Sequence, residues 1–227
     1  MSLEPFPQTR WSLILSAKHG ETQASLEAME SLALAYWQPM YAWLRGMGRS
    51  HEDAQDDTQG FFAYLLSREF LRNLQPQGGR FRNFLLVLLR RWIKDERLRA
   101  ANQVRSAEVE LQPWHDMHAV GRSPEEAFDR AWAAALVQRS MAELERRWKN
   151  RAALFADLRF TIESSLHSEK YAAIAQRLGL NEGAVGKAAF DLRQQFAEQV
   201  RQEVRDTVAS EQDVEEELRY LVRLMQE

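Results

Sequence analysis

A chain of 227 residues with 45% apolar content has enough material for one large domain or two small ones. Its net charge of −3 argues against a protein that holds nucleic acid by bulk charge alone. The absence of cysteine excludes disulfides, thiolate metal sites and a cysteine nucleophile. The near-neutral total hides a segregation. Residues 80–105 carry eight basic side chains against Asp95 and Glu96, and residues 203–217 carry seven acidic ones against Arg205 alone. Opposite charge blocks suggest separate partners or mutual contact. The first residues show no signal-peptide pattern, and the longest aliphatic run, Phe84 to Leu89, is far too short to span a bilayer. The expectation is a soluble, cytoplasmic protein with no membrane partner.

Helical periodicity recurs along the chain without sustained alternation, which predicts an all-α fold. A first short helix is expected around Trp11. A second runs from about Thr22 to Leu44, with a kink or break at Pro39, and stops at Gly46 and Gly48. Ser50 caps a third helix whose inner face is Ala54, Thr58, Phe61, Phe62 and Leu65. Its outer face carries Asp53, Asp56 and Gln59 at i, i+3, i+6 spacing. After a Pro- and Gly-containing loop, residues 80–99 (RFRNFLLVLLRRWIKDERLR) form an amphipathic helix. Phe81, Phe84, Leu85, Leu88, Leu89 and Trp92 gather on one side, and Asn83, Arg90, Lys94 and Arg97 on the other, with Arg91 nearby. The second face is either a solvated helix surface or the electrostatic footprint of a nucleic-acid reader.

Periodicity fails from 101 to 122, which reads as a linker. Ser123-Pro124-Glu125-Glu126 then forms a capping box that opens a long helix to about Trp148. Another helix is expected over about 151–165. Residues 169–193 show a helix-turn-helix pattern. Ile174, Ala175 and Leu178 pack its first helix, Gly179 makes the turn, and Asn181 caps the second helix, which Leu180, Val185, Ala188 and Leu192 seat. A tail follows, with acidic residues and a terminal amphipathic helix (Val214, Leu218, Leu221, Met225). The expected organisation is therefore a helical domain at 1–100, a linker at 101–122, a helix-turn-helix domain at 123–200 and an acidic tail at 201–227. The tail is either solvated with a packing helix at its end, or folded back on the basic stripe of residues 80–99, where it would inhibit DNA binding.

Three stretches in this order resemble the extracytoplasmic-function (ECF) class of bacterial RNA polymerase sigma factors. They are EDAQDDTQGFFAYLL (52–66), FRNFLLVLLRRWIKDERLR (81–99) and YAAIAQRLGLNEGAV (171–185). The resemblance covers most of the chain from about Tyr36 to Phe196. It implies transcription initiation: Asp53, Asp56 and Gln59 would dock on the β′ clamp helices of core RNA polymerase, with a further contact on the β flap. Asn83, Arg90, Arg91, Lys94 and Arg97 would contact promoter DNA at the minus-ten element, and the loop at 75–80 would capture an unstacked base. The helix-turn-helix would lie in the major groove of the minus-thirty-five element through Lys187 and Arg193.

Two departures stand out. Gln55 takes a position where the family commonly has Glu, which Asp57 nearby would offset. Gly186, Phe190 and Asp191 stand where basic residues are expected, so the reading surface is poor in charge and suits either weak DNA reading or a protein partner. An anti-sigma factor or a kinase completes the implied partners. Thr58 is the candidate for phosphorylation, against which its place on the core face counts.

No cofactor, metal or catalytic residue is expected. The sequence holds no Ser–His–Asp set and no phosphate-binding glycine loop, and the His115/His118 pair lacks supporting ligands. The alternative functions are a helix-turn-helix regulator that does not recruit polymerase, and a sigma-like interaction module.

Overall fold

The computed structural model describes residues 23–65, 67, 80–105, 123–162, 168–208 and 210–226. These form helices without strands: α1 (Gln23–Gly46), α2 (His51–Leu65), α3 (Phe81–Arg105), α4 (Pro124–Arg147), α5 (Ala152–Leu158), α6 (Ser168–Leu178), α7 (Glu182–Arg205) and α8 (Glu211–Gln226). Short 3-10 turns at Lys149–Arg151 and Arg159–Thr161 flank α5. No helix among the described residues is long and apolar enough to cross a membrane. The helix expected around Trp11, the loop at 75–79, His115, His118 and nearly all of the expected linker lie outside the described residues.

The chain divides into two compact units, residues 1–135 with 204–227, and residues 136–203. These units are cut differently from the expected segments. The first twelve residues of α4 belong to the first unit, and so does the tail from Val204 onward. The basic helix also continues to Arg105, into the expected linker, because nothing in RLRAANQVR breaks a helix.

In the first unit, α1 runs through Pro39 without a break. It ends at Gly46, with Gly48 in the left-handed region (φ 83°) that glycine adopts without steric cost. A Cβ on Gly46 would come within 2.9 Å of the Pro124 backbone, so the missing side chain lets the start of α4 approach. Ser50 Oγ accepts the Asp53 N–H at 3.0 Å and caps α2. The core is aromatic. Tyr36 meets Phe81 edge-on at 5.3 Å, Trp37 stacks on Phe62 at 5.6 Å, and Phe61 meets Trp92 at 5.9 Å.

The buried face of α3 is rotated from the expected one. Phe81, Leu85, Leu86, Leu89 and Ile93 are buried, while Phe84, Leu88 and Trp92 are only partly so. Arg82 shares that buried face and is 7% exposed. Its guanidinium donates to both carboxylate oxygens of Glu217 (2.9 and 3.2 Å) and to Asp129 Oδ1 (2.7 Å). The Tyr220 hydroxyl donates to the other oxygen of Asp129 at 2.6 Å, and its ring lies 4.6 Å from the guanidinium carbon. Trp132 flanks the same cation at 5.3 Å. Burial acts against the charge on Arg82, but Glu217 and Asp129 outweigh it and hold its pKa above the ordinary value. Burial and the bond to Asp129 push the Tyr220 hydroxyl up to about 12.

This cluster joins α3, α4 and α8, so the terminal helix packs, and its acids meet the basic stretch at Arg80 and Arg82 rather than at Arg91 and Lys94. Arg80 pairs with Glu216 and Glu217 (2.6 Å each), and the Phe81 N–H donates to the Thr207 carbonyl at 2.9 Å. The first orphan donor of α3 is thus satisfied by backbone from near the other end of the chain. Ser210 caps α8 through the Asp213 N–H. Val214, Glu217 and Leu221 are its buried positions. Met225, expected on this face, is 60% exposed because the buried stripe ends at Leu221.

In the second unit, Leu144, Trp148, Leu154, Phe155, Leu158, Ile174, Ala175, Val185, Ala188, Ala189 and Leu192 form one core. The helix expected over 151–165 is shorter, α5 closing into the 3-10 turn at Arg159–Thr161. Gly179 takes φ 66°, and the Leu180 N–H returns to the Ala175 carbonyl at 2.9 Å, ending α6. Asn181 Oδ1 accepts the Ala184 N–H at 2.6 Å and starts α7. Leu180 contributes its backbone to this turn, but its side chain is 42% exposed and does not seat α7 as expected.

Removing one partner of a buried ion pair leaves the other charge uncompensated, at a cost of about 3–5 kcal/mol. Glu217→Ala is therefore expected to lower the urea-unfolding free energy of the first unit by at least about 3 kcal/mol. Lys187→Ala should change stability by less than about 0.5 kcal/mol. Equal small effects would mean the cluster does not hold α8.

Candidate nucleic-acid and polymerase interface

The acidic candidates sit together. Asp53, Asp56 and Gln59 are all exposed on α2, on the side away from buried Ala54, Thr58, Phe61 and Phe62. Glu52 and Gln55 extend the exposed surface. Asp57 does not offset Gln55 as expected. It turns half-buried toward Arg49 and pairs with it at 2.8 Å. Thr58 has no exposed surface, and its hydroxyl donates to the Ala54 carbonyl at 2.6 Å. A kinase cannot reach it in the folded chain, which removes it from the candidate set. Gly60 completes this helix: a Cβ there would lie 3.1 Å from the Trp92 ring, so glycine lets α3 pack close against α2.

The basic candidates divide. Asn83, Arg91 and Lys94 are exposed on α3, and Arg91 and Lys94 make no ion pair among the described residues. Arg90 is exposed too, but its guanidinium bonds Glu125 at the start of α4 and sits 5.9 Å from the centre of the Trp43 ring. The Trp43 indole N–H donates to the same carboxylate at 3.2 Å. Burial raises the Glu125 pKa. The backbone donor at the helix start, Trp43 and Arg90 more than reverse this and lower it, so the carboxylate stays charged. Glu125 thus serves as a counter-charge to Arg90 at the surface. Arg97 belongs to α3, but its side chain lies outside the described residues.

On the second unit, Lys187 is exposed and pairs with Asp191 one turn on at 2.9 Å. Arg193 is half-buried and reaches the Tyr171 hydroxyl at 3.5 Å. Phe190, between them, is 55% exposed. The accessible face of α7 therefore offers an aromatic ring and a self-neutralised pair rather than free cations.

Sequence reasoning missed two groups. Arg82, Asp129, Glu217 and Tyr220 form the buried cluster. The signal was present: Arg82 shares the helical period of Leu86, Leu89 and Ile93, and Glu217 lies between Val214 and Leu221. The second is the basic run Arg146, Arg147, Lys149 and Arg151 at the end of α4. No group of histidine and acidic residues that could hold a metal ion occurs among the described residues. No family model, no curated protein and no solved structure matches the chain.

Glu125→Gln removes the counter-charge from Arg90 while keeping the Trp43 contact. If this face binds nucleic acid, the salt dependence of duplex binding should steepen by about 0.9 in log–log slope, the increment for one further phosphate contact. An unchanged slope would exclude Arg90 from the interface.

Proposed function

We propose that the chain is a sigma factor of the extracytoplasmic-function type, which binds core RNA polymerase and directs it to promoters. The observation that carries this reading is the pairing of two exposed surfaces within one unit. α2 presents Asp53, Asp56 and Gln59, and α3, packed against it through Gly60 and Trp92, presents Asn83, Arg90, Arg91 and Lys94. An acidic docking face rigidly coupled to a basic face suits a protein that must hold polymerase and DNA in fixed register. The capped turn between α6 and α7 fits the helix-turn-helix scaffold the family uses for upstream contact. In this reading α2 docks on the β′ clamp helices, α3 faces the minus-ten region, and the chain works without cofactor or catalytic residue.

A second reading, a sigma-like interaction module, draws on one observation. The exposed face of α7 carries Phe190 and a neutralised Lys187. Aromatic, charge-poor surfaces suit protein partners better than phosphates.

In vitro transcription with core RNA polymerase separates the readings. Promoter-specific transcripts dependent on the chain are expected. Asp53→Ala with Asp56→Ala should weaken core binding at least tenfold, about 1.4 kcal/mol, without loss of helicity. No core binding by the wild-type chain would overturn the proposal. Core binding without a specific transcript would favour the interaction module.

A further inference from the structure

Within the second unit, the 3-10 turn at Lys149–Arg151 and the accessible side of α7 enclose an open cleft of about 300 Å³, lined by Arg147, Trp148, Asn150, Arg151, Asp191 and Gln195. Its walls are tied together from below. The Trp148 indole N–H donates to Gln195 Oε1 at 2.8 Å, and Arg147 donates to Gln199 Oε1 at 2.7 Å. Gln195 spends its carbonyl oxygen on Trp148, which leaves its amide hydrogens as donors. Asn150 and Arg151 are exposed, and neither Arg151 nor neighbouring Lys149 has an ion-pair partner among the described residues.

The charges around this cleft are asymmetric. Glu143 binds both Arg146 (2.7 Å) and Arg147 (2.8 Å), so one carboxylate serves two guanidinium groups. Asp191, the one acid in the lining, is matched by Lys187 on its own helix. The segment Arg146–Arg151 therefore keeps a net surplus of positive charge beside the very face of α7 that lacks it.

We propose that this cleft is a binding site for the phosphodiester backbone of duplex DNA, with Arg151 and Lys149 as the principal contacts and Asn150 and Gln195 as neutral donors. A planar guanidinium and a flexible ammonium at the rim, backed by amide donors, suit phosphate oxygens. Such contacts position a helix on DNA without reading sequence. The site would thus supply affinity that the self-neutralised Lys187 does not. The inference rests on the promoter-binding reading for its setting, but its test needs no polymerase.

The full-length chain and a Lys149→Ala/Arg151→Ala variant are titrated onto a fluorescent mixed-sequence duplex of about 25 base pairs, over about 50–200 mM salt. The variant should bind at least about fivefold more weakly at the lowest salt. Its log–log salt slope should be smaller by about 1.8, the value for two lost phosphate contacts. An Arg219→Ala/Arg223→Ala variant of equal net charge should match the wild type. Because Lys149 and Arg151 are exposed, the melting temperature should not move. Equal affinity and slope for the two charge-matched variants, or no duplex binding by the wild type at about 50 mM salt, would overturn the proposal. A Lys149/Arg151-dependent duplex affinity in a chain that fails to bind core polymerase would sink the sigma reading and leave this site standing.

Discussion

A guanidinium withdrawn from water must be matched by carboxylates and donors placed around it, or the fold pays several kcal/mol for the orphaned charge. Arg82 is such a group, and the first unit is arranged to match it. Glu217 supplies two oxygens from α8, Asp129 one from α4, and Tyr220 completes Asp129 while covering the cation with its ring. Three helices far apart in sequence are fixed by one side chain. An apolar residue at position 82 would pack against α8 with less specificity. The charged cluster demands one register between α3 and α8, since only Glu217, between Val214 and Leu221, can meet it.

That constraint shapes what the basic helix can do. The acidic residues near the C-terminal end of the chain are occupied: Glu216 and Glu217 with Arg80 and Arg82, Glu203 with Arg139, Glu211 with Arg205. Glu216 and Glu217 buttress the start and the buried side of α3, while Arg91 and Lys94 face solvent. The charge segregation along the sequence is resolved as internal matching at one end of α3 and external availability along its middle. Arg90 stands between these, exposed but paired with Glu125 beside the Trp43 ring.

Helix existence was legible in the sequence wherever capping and periodicity agreed. Ser50, the Ser123–Glu126 box and Asn181 each accept the expected backbone N–H or make the expected reciprocal bond. The outward face of α2 was legible because its acids fall opposite an apolar stripe. What could not be read was pairing between distant elements. Periodicity sets Arg82 on the side of Leu86, Leu89 and Ile93 and Glu217 between Val214 and Leu221, but nothing in it sets the one against the other. The buried face of α3 turns from Phe84, Leu88 and Trp92 toward Leu86 and Ile93, the side on which Arg82 meets α4 and α8. The weak face of α7 was foreseen from composition. The basic run Arg146–Arg151 crosses a helix end, so its side chains share no helical period.

In the proposed reading the exposed acidic side of α2 is a docking face for RNA polymerase. A photo-crosslinking amino acid placed at Gln59, beside Asp56 and away from the core, tests it directly when the chain is mixed with core enzyme and irradiated. The account predicts a crosslink to the β′ subunit that is lost when the same amino acid is placed at Arg219 on α8. A Gln59 probe that stays uncrosslinked in a chain shown to bind core enzyme, or that crosslinks only to another subunit, would contradict it.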